Sequence, residues 1–155
     1  MTISTSILAE VQELDRLGWN LVDAPEGRKL PKRAWRSFRT DRTSPFLADW
    51  FSQGGVNIFL ICGSVSGVAV LDIDNDDAER YWRDQGLGET MDRTACAISG
   101  SGRGHHYYFS IPAGTKVRSR SGDGWDLKGE GGGVIVPPSL HESGERYRWV
   151  RRPED

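Results

Sequence analysis

The chain has 155 residues, the size of one domain, and its 37% hydrophobic and 27% charged residues suit a single cored unit rather than a disordered tail. Lys and Arg number 20 against 22 Asp and Glu, a formal charge of −2, which excludes a uniformly basic nucleic-acid binder and makes any contact with DNA or RNA local. No apolar stretch approaches the ~20 residues that cross a bilayer. The N-terminus MTISTSILAE lacks the basic and long apolar regions of a signal peptide, so a cytoplasmic protein is expected. Cys62 and Cys96 cannot make a four-thiolate zinc site and sit in apolar runs, which reads as two buried free thiols.

Ile7, Val11 and Leu14, with Leu8 and Leu17, recur at helical spacing and predict an amphipathic helix over residues 6–17, ended by Gly18. A short strand follows over residues 19–22. Residues 28–42 form the most basic stretch, with Arg28, Lys29, Lys32, Arg33, Arg36, Arg39 and Arg42 against the single acid Asp41, and Trp35 and Phe38 interleaved. Ser44 and Pro45 read as the cap and first position of a short helix carrying Phe46, Leu47, Trp50 and Phe51. Residues 57–62 and 68–73 are nearly continuous apolar runs of strand length, the pattern of strands covered on both faces. Asn75 reads as the cap of a helix with Asp76, Asp77 and Glu79 in its first turn, stopped by Gly86 or Gly88. Thereafter residues 94–99, 105–111, 125–128, 133–136 and 147–150 are short strand candidates joined by Gly, Ser and Pro turns. The expectation is one mixed α/β domain over 1–155.

Three constellations can carry chemistry. In VAVLDIDNDD an apolar strand ends in Asp72 and Asp74, two residues apart, so both carboxylates project from one face while Leu71 and Ile73 point into the core. Paired carboxylates repel unless a cation lies between them, and hard oxygen donors suit Mg²⁺ or Mn²⁺. A calcium EF-hand fails on identity, since its sixth and twelfth positions counted from Asp72 are Asp77 and Arg83. A haloacid-dehalogenase-type phosphatase, which usually has Thr or Val where this chain has Asn75, is weakened but stays open, as do the DxD glycosyltransferases. In ISGSGRGHHYYFS a small Gly-rich turn can aim backbone N–H groups, the Ser99 and Ser101 hydroxyls and Arg103 at phosphate oxygens. A strand follows this turn, which excludes a Walker A loop or a dinucleotide fingerprint, and in that strand His106 shares a face with Tyr108. In GWDLKGEGGGVIVPPSLHESGERYRW, Asp126 and Lys128 point together; Asp126 would complete a cluster of three carboxylates and Lys128 would meet phosphates. His141 in the following loop reads as a structural or exposed side chain.

Taken together and in this order, these segments resemble the primase-polymerase domain of the archaeo-eukaryotic primase superfamily, found in phage, plasmid and mobile-element replication proteins. The resemblance covers nearly the whole chain: Gly18-Trp19, Lys29 and Pro31 with Trp35 after them, SGVAVLDID, SGSGRGHHYYF, DLKGEGGGVIVPPS, and Tyr147 with Trp149. It implies an α+β fold of the primase catalytic type, with a small α/β part, a part resembling an RNA-recognition fold around a central mixed sheet, and the site between them. By resemblance, Asp72, Asp74 and Asp126 hold two divalent ions, Mg²⁺ or Mn²⁺. His106, the His before Tyr-Tyr-Phe, binds the nucleotide, with Ser99, Ser101, Gly102, Arg103 and Lys128 around the triphosphate and Arg118 and Arg120 behind them. Gly104 stands where the superfamily often has Ser, which leaves Ser99 or Ser101 to supply that hydroxyl. Lys29, Lys32, Arg33, Trp35 and Arg36 are expected to lie along a groove for template backbone and stacked bases, with a solvated basic surface as the alternative reading of the same charges.

The implied activity is template-dependent nucleotidyl transfer from a dNTP or rNTP to a 3′-hydroxyl on a DNA template and primer. It implies a cytoplasmic setting, bacterial or virus-infected, with no membrane partner. Family members often carry a helical or zinc-containing C-terminal segment and a helicase as domain or partner; this chain ends at RRPED with neither, which leaves open a domain excised from a longer primase-helicase. A metal-dependent phosphatase or nuclease using the same carboxylates, or a domain binding DNA or nucleotide without chemistry, are the alternatives.

Overall fold

A computed structural model describes residues 3–154, with side chains from residue 7 onward. Helix α1 (Ile3–Arg16) buries Ile7, Val11 and Leu14 completely, which is the helical stripe that the sequence predicts. It stops one residue earlier than expected, and Leu17 turns out to solvent. Strand β1 (Asn20–Pro25) follows, then the basic segment, which makes a single 3-10 turn over Arg36–Arg39. Buried Asn20 anchors that segment: its side-chain amide donates to the Phe38 and Asp41 carbonyls (2.7 and 2.9 Å) and accepts the Thr43 N–H (2.8 Å). Ser44 is not a helix cap. It opens a second 3-10 turn, Ser44–Phe46, that leads into α2 (Leu47–Phe51), and its hydroxyl donates to Asp15 instead.

Strands β2 (Val56–Ile61) and β3 (Val68–Ile73) are sequence neighbours that do not pair with each other. Asn75 caps α3 (Asp76–Trp82), accepting the Ala78 N–H at 2.9 Å. The expected stop at Gly86 or Gly88 is a kink instead. Residues Arg83–Leu87 form a wide turn with Gly86 at φ 91°, a left-handed value that glycine adopts without a Cβ clash, and the chain re-enters a helix, α4 (Gly88–Arg93). The remaining strands are β4 (Cys96–Ile98), β5 (His105–Ser110), β6 (Arg120–Gly122), β7 (Trp125–Lys128), β8 (Gly133–Val136) and β9 (Arg148–Arg151). Strand β6 has no apolar pattern and was not expected.

The strands form two sheets, β1-β2-β8 and β6-β7-β3-β5-β4-β9. The fold is α+β as expected, but every strand pair in both sheets is antiparallel rather than mixed. Three apolar layers hold the sheets. The largest joins α1 and α2 to one face of each sheet, through Leu21, Ile58, Leu60, Val68, Val70 and Tyr108. The outer face of the small sheet (Val22, Phe59, Ile135) is covered by Trp35, Phe38 and Trp50, so the aromatic residues of the basic segment are packing groups. The outer face of the large sheet (Leu71, Ile73, Tyr107) is covered by α3 and α4 through Ala78, Trp82 and Met91. The central strands β2 and β3 are therefore buried on both sides, which is why their sequences are apolar throughout. Cys62 and Cys96 are buried free thiols, and burial pushes them up to about 12 and about 11. No helix among the described residues is long and apolar enough to cross a membrane.

Candidate active site

Alternation along β3 sends Val68 and Val70 into the layer between the sheets, and the same face ends in Asp72. Cross-strand partners in an antiparallel ladder share a face. Asp72 lies opposite His106 of β5 on one side and Asp126 of β7 on the other, and Val70 lies opposite Tyr108 and Lys128. The register alone thus brings together side chains 34 and 54 residues distant from Asp72 in sequence (106 − 72 and 126 − 72). Asp74 follows at the strand end, where its N–H donates to the Gly124 carbonyl (2.8 Å).

These groups line a cleft of about 520 Å³ between the two sheets. Asp72, Asp74, His106, Asp126 and Lys128 form one wall, Gly133, Val134 and Ile135 of β8 the opposite one, and Lys29, Ser99, Ser101, His141 and Tyr147 the rim. His106 is buried, and its Nε2 lies 3.3 Å from the Asp72 carboxylate, while its Nδ1 is buried without a hydrogen-bond partner among the described residues. Burial works to raise the Asp72 pKa, but the hydrogen bond and charge of His106, with Lys128 and Lys29, outweigh it and hold the carboxyl below its ordinary value. Asp74 shifts the other way, raised by burial and then by the negative charges of Asp72 and Asp126. The Tyr147 hydroxyl is pushed up to about 12, by burial first and then by Asp72.

Asp72, Asp74 and Asp126 offer hard oxygen donors, and the repulsion that raises Asp74 is what a cation between them relieves, so the donor set suits Mg²⁺ or Mn²⁺. Among the described residues no three Asp, Glu, His or Cys side chains already converge as a metal cluster. Asp72 is turned to His106, and Asp126 accepts a short hydrogen bond from the Ser121 hydroxyl. Each of these contacts uses one carboxylate oxygen, and the second oxygen of each group is still a donor to a cation.

The other sequence candidates are dispersed. Gly102 and Arg103 are exposed, and Arg103 lines a separate cavity on the helix-covered side, with Glu79, Asp92 and His105. Arg120 lines a shallow cavity beside Asp126 and Lys128, and Arg118 is exposed next to it. In the basic segment Lys29 alone among the DNA-contact candidates lines the cleft. Lys32 and Arg33 border another cavity, where Arg33 grips Asp23 (2.6 and 3.1 Å) and stacks 4.2 Å over Trp50. Trp35 packs edge-on against Phe59 (4.9 Å), and Arg36 is exposed. Arg42 is spent on the Gly18, Trp19 and Val65 carbonyls. The polar cleft residues not assigned a chemical role from sequence are His141, Glu142 and Tyr147; the signal for the last is its place in the Tyr-Arg-Trp run shortly after β8.

A search of curated proteins finds no match to this chain. The family described as bifunctional DNA primase/polymerase, N-terminal, matches residues 11–155, a span that holds all three carboxylates, His106 and both sheets. The chain therefore belongs to the bifunctional primase/polymerase family, a family of nucleotidyltransferase type that generally uses divalent metals.

Proposed function

We propose that the chain is a template-dependent DNA primase/polymerase that joins a nucleoside triphosphate to a 3′-hydroxyl with release of pyrophosphate, in replication of the phage or plasmid type. The observation that carries this reading is the ladder that sets Asp72 between His106 and Asp126 on the wall of one cleft. Asp72, Asp74 and Asp126 would hold two Mg²⁺ or Mn²⁺ ions, which when bound activate the 3′-hydroxyl and neutralise charge developing on the α-phosphate and the leaving pyrophosphate. His106 would serve the nucleotide as a hydrogen-bond donor once its Nε2–H turns from Asp72, and Lys128, on the same sheet face, would supply a cation for its phosphates. Asp72 is held ionised by these neighbours at neutral pH, as a ligand must be.

Primed template with dNTPs and Mn²⁺ tests the reading. Extension supports it, phosphate release or template cleavage points to a hydrolase on the same carboxylates, and binding without turnover overturns catalysis. Asp72→Ala with Asp74→Ala should abolish extension while the circular dichroism spectrum stays that of the folded chain. His106→Ala should raise the KM for the incoming nucleotide by about tenfold, the worth of one hydrogen bond to a charged group, with template affinity changed far less. A de novo priming assay on single-stranded template then decides whether the chain starts strands or only extends them.

A further inference from the structure

Between β8 and β9 the chain returns to the cleft through a short hairpin in which Leu140 is bridged to Arg146. His141 is fixed within it. Its backbone N–H donates to the Glu145 carbonyl (2.8 Å), its Nδ1 accepts the Ser143 backbone N–H (3.0 Å), and its ring lies 5.8 Å from that of Tyr147. A nitrogen that accepts an N–H carries no proton, so the ring proton sits on Nε2. Nε2 has no hydrogen-bond partner among the described residues, and the side chain lines the cleft. A histidine serving only to hold the hairpin would need nothing beyond Nδ1.

The hairpin is also locked onto the Gly-rich turn between β4 and β5. Ser143 Oγ donates to the Gly100 carbonyl at 3.1 Å. A Cβ on Gly100 would fall 2.0 Å from the His141 Cβ and 2.7 Å from the Glu145 carbonyl oxygen, so only glycine lets the two loops meet. That contact seats His141 on the cleft rim with Ser99 and Ser101, whose hydroxyls are 2.7 Å apart, and with the Lys29 side chain. These are donors and a cation, with Glu142 as the acid among them, while the three Asp side chains belong to the large-sheet wall. Arg103, the cation nearest in sequence, lines a different cavity.

We propose that His141 is a phosphate-binding residue: its Nε2–H, with the Ser99 and Ser101 hydroxyls and the Lys29 ammonium, holds the outer phosphates of a nucleoside triphosphate. The assignment rests on the nucleotidyltransferase reading and deepens it. His141→Asn separates the two uses of the ring, because the Asn amide oxygen can still accept the Ser143 N–H while the Nε2 donor is lost. Calorimetric titration of the full chain with dGTP, dGDP and dGMP in Mg²⁺ is the experiment. Wild type is expected to bind dGTP most tightly. His141→Asn should weaken dGTP about tenfold, leave dGMP unchanged and keep the wild-type Tm; Gly100→Ala, which displaces the ring, should weaken dGTP likewise while lowering the Tm. Equal dGTP affinity in wild type and His141→Asn overturns the assignment, and so does a loss that is the same for dGMP and dGTP. Wild type that binds none of the three nucleotides overturns the nucleotidyltransferase reading itself, and the assignment with it.

Discussion

Two carboxylates separated by one residue carry opposite electrostatic histories. Asp72 has His106, Lys128 and Lys29 against its burial, and its pKa falls; Asp74 has burial and two anions, and its pKa rises. For Asp72 the native-state stabilisation is present above the ordinary carboxylate range and is lost as pH falls through the lowered value. For Asp74 the sign is reversed: its ionised form opposes folding at neutral pH, and that opposition disappears as pH falls through the raised value. Asp74→Asn should therefore raise the Tm at pH 7 by about 1–2 °C, from roughly 0.5 kcal/mol once solvent screening of this exposed group is allowed for. The same variant should lose extension activity. Melting curves with and without MnCl₂ check both halves, because a cation that relieves the repulsion should stabilise wild type more than the variant. A lower Tm for Asp74→Asn would show that the carboxylates do not repel.

At the scale of elements, the sequence announces what is local. The stripe of α1, the Asn75 cap and the two apolar central strands follow from spacing and residue type, and the Asp72 and Asp74 pair was legible because a period of two puts both on one face. Three features were not legible for a common reason, that they depend on pairing across the chain. Strand β6 consists of Arg, Ser and Gly and exists only because β7 offers it an edge; β2 and β3 look like a hairpin yet enter different sheets; and Arg103 leaves the cleft through the direction of a turn. His141 was unreadable for the further reason that its role depends on a loop contact with Gly100. Because α3 starts directly after Asp74, its cap has a measurable place in stability: Asn75→Ala should cost about 1 kcal/mol, a fall in Tm of about 2–4 °C. Urea unfolding measures it, and an unchanged midpoint would show that α3 is held by Trp82 and Ala78 packing alone.

For the whole molecule, a net charge of −2 sets the terms of DNA binding. Of the seven cations in the basic segment, Arg33 pairs with Asp23, Arg39 lies over Trp35 against the Gly131 carbonyl and Arg42 is bound to backbone carbonyls, so four remain to displace counterions from a template. The affinity for single-stranded DNA should accordingly depend only weakly on salt, with a slope of log K against log salt of about −2 to −3, corresponding to roughly three or four phosphates neutralised on a single strand. Fluorescence anisotropy across a salt series measures it; a slope of about −5 would mean that the basic segment engages DNA along its whole length.

The pairing of β3 with β5 and β7 has a consequence for how such a chain tolerates change. Residues 112–116, an exposed turn outside the ladders, can lengthen or shorten without touching the chemistry. Removing one residue within β7 would instead invert the parity of that strand, turning Asp126 toward the helices and offering the cleft an indole or a leucine. Length is free between the strands and quantised within them.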